Sequence, residues 1–187
     1  FADGGEAEDE GGYGYIPPEG YGLLNAIRSK EAPTYDTIFG GQRIGMENLQ
    51  DHPRRAVTRN GVTSHAAGMY QFMPDTWDAQ AKKLGLPDFG PQSQDLGAWD
   101  LAKTTYANKT NRDLAADLRE GGTSVLPRVT DALKSIWPSM PGGSQQLHSN
   151  ESVSDAYLAG MGGTLGAGGA ARAAAGPTAS AASRLTS

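Results

Sequence analysis

The sequence predicts an α+β fold that is mainly helical, with a small β region placed after the first helix. Three observations predict it. Apolar residues recur at helical spacing in five separate stretches between Gly20 and Ile136. The segment from Tyr35 to Asn60 instead alternates, with β-branched residues, paired glycines and Pro53. A length of 187 residues suits one domain with tails and is hardly enough for two cores.

Taken in order, residues 1–20 (FADGGEAEDEGGYGYIPPEG) are acidic and rich in Gly and Pro. They bury too little apolar area to offset the entropy of ordering, and are expected to be a linker. From Gly20, the residues Leu23, Leu24 and Ile27 fall on one helical face until Pro33 stops the run, which ends the helix near Glu31. A second helix is expected from about Met69 to Leu84, with Pro74 in its first turn and Gly85 as its C-cap. Further helices are expected over 93–106, 111–119 and 126–136, the last before Trp137-Pro138. The domain is thus expected to cover 21–147, followed over 148–187 by a Ser/Gly/Ala-rich low-complexity tail.

Charge and composition exclude several functions. A net charge of −5 without a Lys/Arg block leaves little counterion release to drive binding, so nucleic acid is not expected as a partner. With no cysteine, disulfides, thiolate metal sites and cysteine nucleophiles are out. His52, His65 and His148 show no metal-ligand spacing, so no metal is expected. The stretch from Tyr157 to Gly176 is Gly/Ala with Arg172 inside it, too thinly apolar for a membrane span; the alternative for the tail is a small-residue helix that packs against partners or contacts the membrane. No secretory signal opens the chain, and Phe1 in place of Met suggests a processed, trimmed or excised chain.

Glu31 is the leading candidate for chemistry. It follows Leu24 by seven residues and Ile27 by four, so on a helix it projects beside the apolar stripe rather than into bulk water. Burial and the negative end of the helix dipole both push its pKa upward, and a carboxyl kept protonated near neutrality is a general acid in waiting. The alternative is an ordinary surface glutamate at a helix end.

Downstream, Ser64–Asp78 (SHAAGMYQFMPDTWD) puts small residues before Tyr70 and Gln71. Such a turn lets backbone and a side-chain amide approach a polar ligand, and makes Ser64, Tyr70 and Gln71 candidates for substrate contacts. The alternative is that these aromatics are core. Asp36 and Asp51 are the nearest candidates for a second carboxylate or a substrate contact; either could instead cap a turn. His52, beside Pro53 in a loop, is read as structural.

These residues sit in an ordered series of motifs: LLNAIRSKE ending in Glu31, YDTIFGG at 35–41, DHPRR at 51–55, AGMYQF at 67–72, TWDAQAKKLGLPDFGPQSQD at 76–95 and IWPSMPG at 136–142. The series resembles the phage lysozymes of the lambda type, lytic transglycosylases on a lysozyme-like fold. The resemblance covers about Tyr21 to Gly142. It implies a groove between two lobes, peptidoglycan glycan strands as substrate, Glu31 as catalytic residue, Tyr70 and Gln71 on the groove-lining motif, and no cofactor. Met69 stands where relatives often carry Arg, the stretch between Asp95 and Ile136 looks longer, and residues around Ser144 to Gln146 replace a tyrosine; these departures bear on groove shape and affinity. With low-complexity flanks, the expected setting is a virion protein that opens the host wall from the periplasm during genome delivery and contacts other virion proteins through its termini. The alternatives are a free lytic enzyme and a non-catalytic wall-binding module on the same fold.

Overall fold

Proline sets where the first helix begins. In the computed structural model, which describes residues 14–162, helix α1 runs Pro18–Glu31 with Pro18 at its first position, where a missing N–H costs nothing. The linker expected over 1–20 therefore ends earlier: residues 18–20 are helical and Ile16 is buried, while residues 1–13 lie outside the described residues. Leu23, Leu24, Ala26 and Ile27 are fully buried, as their spacing predicts. Ala32 turns extended after Glu31, the conformation a residue before proline prefers.

The β region consists of isolated bridges and one hairpin. Thr37 bridges Arg43, Ile38 bridges Ala67, and Ala67 bridges Phe72. Strands β1 (Val57–Arg59) and β2 (Val62–Ser64) pair antiparallel with Thr58 opposite Thr63. Asn60 and Gly61 join them with φ of 49° and 77°, the left-handed pair that a two-residue hairpin turn requires.

Helix α2 is Pro74–Leu84, capped by Gly85 at φ 67°. It begins five residues later than the periodicity from Met69 predicts. Residues 69–72 form a tight turn instead, with Gln71 at φ 50°, and Pro74 takes the first helical position. Helices α3 (Pro91–Thr110), α4 (Leu114–Gly121) and α5 (Leu126–Leu133) follow, with Asp113 capping α4 through the Ala116 amide.

The low-complexity tail expected from residue 148 contains a helix that the sequence analysis did not anticipate. Helix α6, Asn150–Met161, opens on a reciprocal capping box between Ser149 and Ser152 and packs along α1. The contact is close because both surfaces carry glycine. A Cβ on Gly160 would lie 2.5 Å from Asn25 Cβ and 2.7 Å from the Tyr21 carbonyl oxygen, and one on Gly22 would lie 2.9 Å from the Tyr157 ring. Val153 and Tyr157 fill the space between, and the Asn25 side-chain amide donates to the Ala156 carbonyl at 2.7 Å. The end of the ordered domain thus falls beyond 147; residues 163–187, with the rest of the expected tail, lie outside the described residues. Among the described residues no helix is long and apolar enough to cross a membrane.

Under α2 and α3 the core is aromatic. Phe72, Trp77 and Phe89 meet edge to face, with Trp77 and Phe89 centroids 4.6 Å apart.

Candidate active site

Glu31 is the last residue of α1, half-buried, and its carboxylate oxygen Oε1 accepts a hydrogen bond from the Ser139 hydroxyl. Burial pushes its pKa above the usual glutamate range, and the Ser139 hydrogen bond pulls it back only in part. Ser139 is itself buried, in the loop after α5. Two residues earlier, Trp137 donates its indole N–H to the Tyr70 carbonyl at 3.1 Å, tying that loop to the 67–72 turn.

Between these two segments lies a cleft of about 260 Å³, walled among others by Gln71, Met73, Thr76, Leu101, Ile136 and Trp137. Neither Glu31 nor Ser139 walls it. Gln71 does, with its amide nitrogen bonded to the Gly68 carbonyl at 2.8 Å and reaching that of Thr37 at 3.4 Å. These bonds fix the side chain on the turn that its own left-handed backbone creates.

The other residues singled out from sequence have structural partners. Tyr70 is 1% exposed, and its hydroxyl donates to Asp95 Oδ1 at 2.6 Å, so its ring is core rather than a sugar platform. Asp36 is also 1% exposed; it accepts from Arg43 Nε at 3.0 Å and from the Gly45 amide at 3.1 Å. Burial raises its pKa, but hydrogen bonds from Arg43, Thr34 and its own amide outweigh that and leave it below the ordinary aspartate range. Asp51 is exposed, accepts from the amide of the next residue, His52, at 2.7 Å, and pairs with Arg54 at 3.3 Å. Ser64 closes β2, where its hydroxyl accepts from the Ala66 amide at 3.2 Å. His52 is structural, as read: Nδ1 accepts from the Arg54 amide, which leaves Nε2–H to donate to the Phe72 carbonyl at 2.7 Å. Among the described residues no group of His, Asp and Glu is clustered so as to hold a metal ion.

Sequence reasoning missed the residues that hold the site from below. Gln94 is fully buried, donates to the Tyr35 and Phe89 carbonyls, and accepts from the Met69 amide at 2.9 Å. Asp95 accepts from both Tyr35 and Tyr70, and burial pushes its carboxyl up to about 6 against the opposing pull of the two tyrosine hydrogen bonds. Gly68, at φ 83°, sits so tightly on the Gln94 amide that no side chain fits there.

With this geometry in place, comparison with known proteins is decisive. The model of the Endolysin family matches residues 22–165. The chain belongs to the endolysin family. The endolysin of Escherichia phage lambda is 37% identical over 109 residues, 58% of this chain and 61% of the lambda protein. The endolysin of Escherichia phage P2 is 34% identical over 130 residues, 64% of this chain and 73% of that protein. The aligned stretch thus spans about three-fifths of the lambda relative's own length. Bacteriophage lambda lysozyme superposes with a TM-score of 0.64 at 28% identity, and lambda lysozyme in complex with a chitohexasaccharide with 0.65 at 30%. Each match covers 81% of this chain and 99% of the lambda chain. The fold is therefore lysozyme-like, mainly α with a small β region, as the motif series implied.

Proposed function

We propose that the protein is a peptidoglycan-lytic enzyme that breaks the β-1,4 bond between N-acetylmuramic acid and N-acetylglucosamine with Glu31 as its acid and base. The observation that carries this reading is the half-buried Glu31 carboxyl at the end of α1, raised in pKa by burial and bonded by the buried Ser139 hydroxyl. Its relatives named endolysin, and the sugar oligomer bound by lambda lysozyme, support a glycan strand as the ligand.

Protonated Glu31 gives its proton to the glycosidic oxygen. The C1–O bond breaks with its electron pair on the departing N-acetylglucosamine, leaving an oxocarbenium-like sugar. The C6 hydroxyl oxygen of the same muramic acid then bonds to C1 and returns its proton to the Glu31 carboxylate, restoring the acid and yielding a 1,6-anhydro sugar. No second carboxylate is needed. That Asp36 is sealed against Arg43 and Asp51 is paired with Arg54 supports this one-carboxyl scheme over a nucleophile or a base that activates water. Gln71 is the substrate contact this reading favours, since its side chain walls the cleft; Ser64 stands on the hairpin rim.

Zymography on purified peptidoglycan tests the assignment. General acid/base catalysis contributes roughly 10²–10⁴ in rate, so Glu31→Gln leaves a folded protein that clears no zone. An equally clear zone from E31Q sinks it. The relatives' shared name favours a free lytic enzyme, whereas the low-complexity ends favour a virion-borne one that acts during genome delivery. Mass spectrometry of purified virions separates the two.

A further inference from the structure

Ser139 lies in a loop, so something else has to hold its hydroxyl on Glu31. The loop folds back on itself: the Gln145 amide donates to the Pro138 carbonyl at 3.0 Å, and the amides of Leu147 and His148 both donate to the Ser139 carbonyl, at 2.9 and 3.0 Å. This return segment would still be free to shift as a unit were it not anchored at its end. The anchor is the His148 ring, 2% exposed, wedged between α1 and α6. Its Nε2 lies 3.2 Å from Ser29 Oγ on α1, and its Nδ1 lies 2.9 Å from Ser152 Oγ on α6.

Each serine also bonds a backbone carbonyl, Ser29 that of Ala26 at 2.9 Å and Ser152 that of Ser149 at 3.0 Å, so both hydroxyls are held in place where the ring meets them. Burial holds the ring's pKa below the usual histidine range against the opposing pull of a hydrogen bond with the Ala26 backbone, and Lys30 acts in the same direction as burial. His148 thus links the helix that ends in Glu31 to α6 through its ring, and holds the Ser139 backbone through its amide.

Resting on the reading of Glu31 as the acid, we propose that His148 is a positioning residue, which through the Ser139 backbone keeps the Ser139 hydroxyl on the Glu31 carboxylate. Ser139 donates to the charged form of Glu31 and so favours proton loss. Breaking that bond raises the proton affinity of Glu31 and moves the alkaline fall-off of kcat, where the acid loses its proton, to higher pH.

The test measures pH profiles of kcat on purified peptidoglycan for S139A, H148F and the double variant. A hydrogen bond to a charged group of this kind corresponds to a shift of about one pH unit. S139A and H148F are each expected to move the fall-off upward by about that much, and the double variant no further. A wild-type fall-off in H148F overturns the proposal, as does a double variant whose shift is the sum of the two. Ser29→Ala keeps the question answerable should H148F fail to fold, because Ser29 is exposed and its loss leaves the core intact. S29A is expected to shift the fall-off in the same direction by less, and an unmoved profile again overturns the proposal. E31Q in the same assay separates the two levels: if E31Q is active, the assignment of Glu31 fails; if E31Q is dead and H148F and S29A titrate as wild type, only the role of His148 fails.

Discussion

Asp95→Asn is the perturbation whose effect can be worked furthest from the structure. The Asp95 carboxyl is buried beneath the 67–72 turn, takes hydrogen bonds from Tyr35 and Tyr70, and is pushed from the ordinary 3.8 up to about 6. A carboxyl whose folded pKa is raised holds its proton more tightly when folded than when unfolded. Its contribution is therefore most favourable below pH 4 and is lost as pH rises from about 4 to about 6. The gap corresponds to about 3 kcal/mol. The amide introduced by D95N keeps the shape and the acceptor oxygen but cannot ionise, so this loss disappears. Urea unfolding of both proteins between pH 4 and pH 7 is the assay. The stability of D95N relative to wild type should rise by about 3 kcal/mol across that window. Taking the difference cancels the groups with the opposite sign, such as Asp36, whose depressed pKa makes it stabilising above the ordinary aspartate range and less so as pH falls. A difference that stays flat from pH 4 to 7 refutes the reasoning, since Asp95 would then be ionised at no cost.

Three further outcomes follow from the packing. Gly160→Ala would raise helix propensity, yet its Cβ meets Asn25 and the Tyr21 carbonyl, so urea unfolding should show a loss of about 1–3 kcal/mol; a gain would mean that α6 does not pack on α1 as described. Among the described residues the buried Tyr157 hydroxyl has no hydrogen-bond partner, so Tyr157→Phe should leave stability unchanged or raise it by up to about 1 kcal/mol, and a clear drop in Tm would contradict this. Asp36→Ala strips Arg43 and the Gly45 amide of their acceptor and should cost about 1–3 kcal/mol at pH 7, and less as pH falls below the ordinary aspartate range, because a depressed folded pKa stabilises only where the carboxylate is ionised; a cost that does not fall with pH would speak against an ionised, bonded Asp36.

The half-buried position of Glu31 at the end of α1 was legible in the sequence because α1 has a clean apolar stripe, Leu23, Leu24 and Ile27, and a residue's place beside a stripe follows from helix geometry alone. The same held for Gly85, whose left-handed cap only the backbone demands. Tyr70 was not legible: an aromatic residue beside an amide reads alike in a sugar groove and in a core. What decides is Asp95, a hydrogen-bond partner 25 residues away. Helix α6 was hidden for another reason. Its interface is made by Gly160 against Gly22, with only Val153 and Tyr157 as large buried side chains, so apolar periodicity is weak just where backbones approach most closely. The capping pair Ser149 and Ser152 was the one local sign of it. The hairpin turn Asn60-Gly61 carried its own signal, since that pair between β-branched residues marks a two-residue turn. Ser139 lies in the IWPSMPG motif, but nothing in that stretch points to Glu31, 108 residues away; only the fold brings the two together.

The claim that one carboxyl performs the whole reaction is tested most directly by the mass of the product. Peptidoglycan digested by the wild-type protein in isotopically labelled water should give muropeptides that end in 1,6-anhydro-muramic acid, one water lighter than a hydrolysed end and free of label. Labelled, reducing-end muramic acid as the main product would contradict the account, because a second group would then have to activate the water that Glu31 is held to do without.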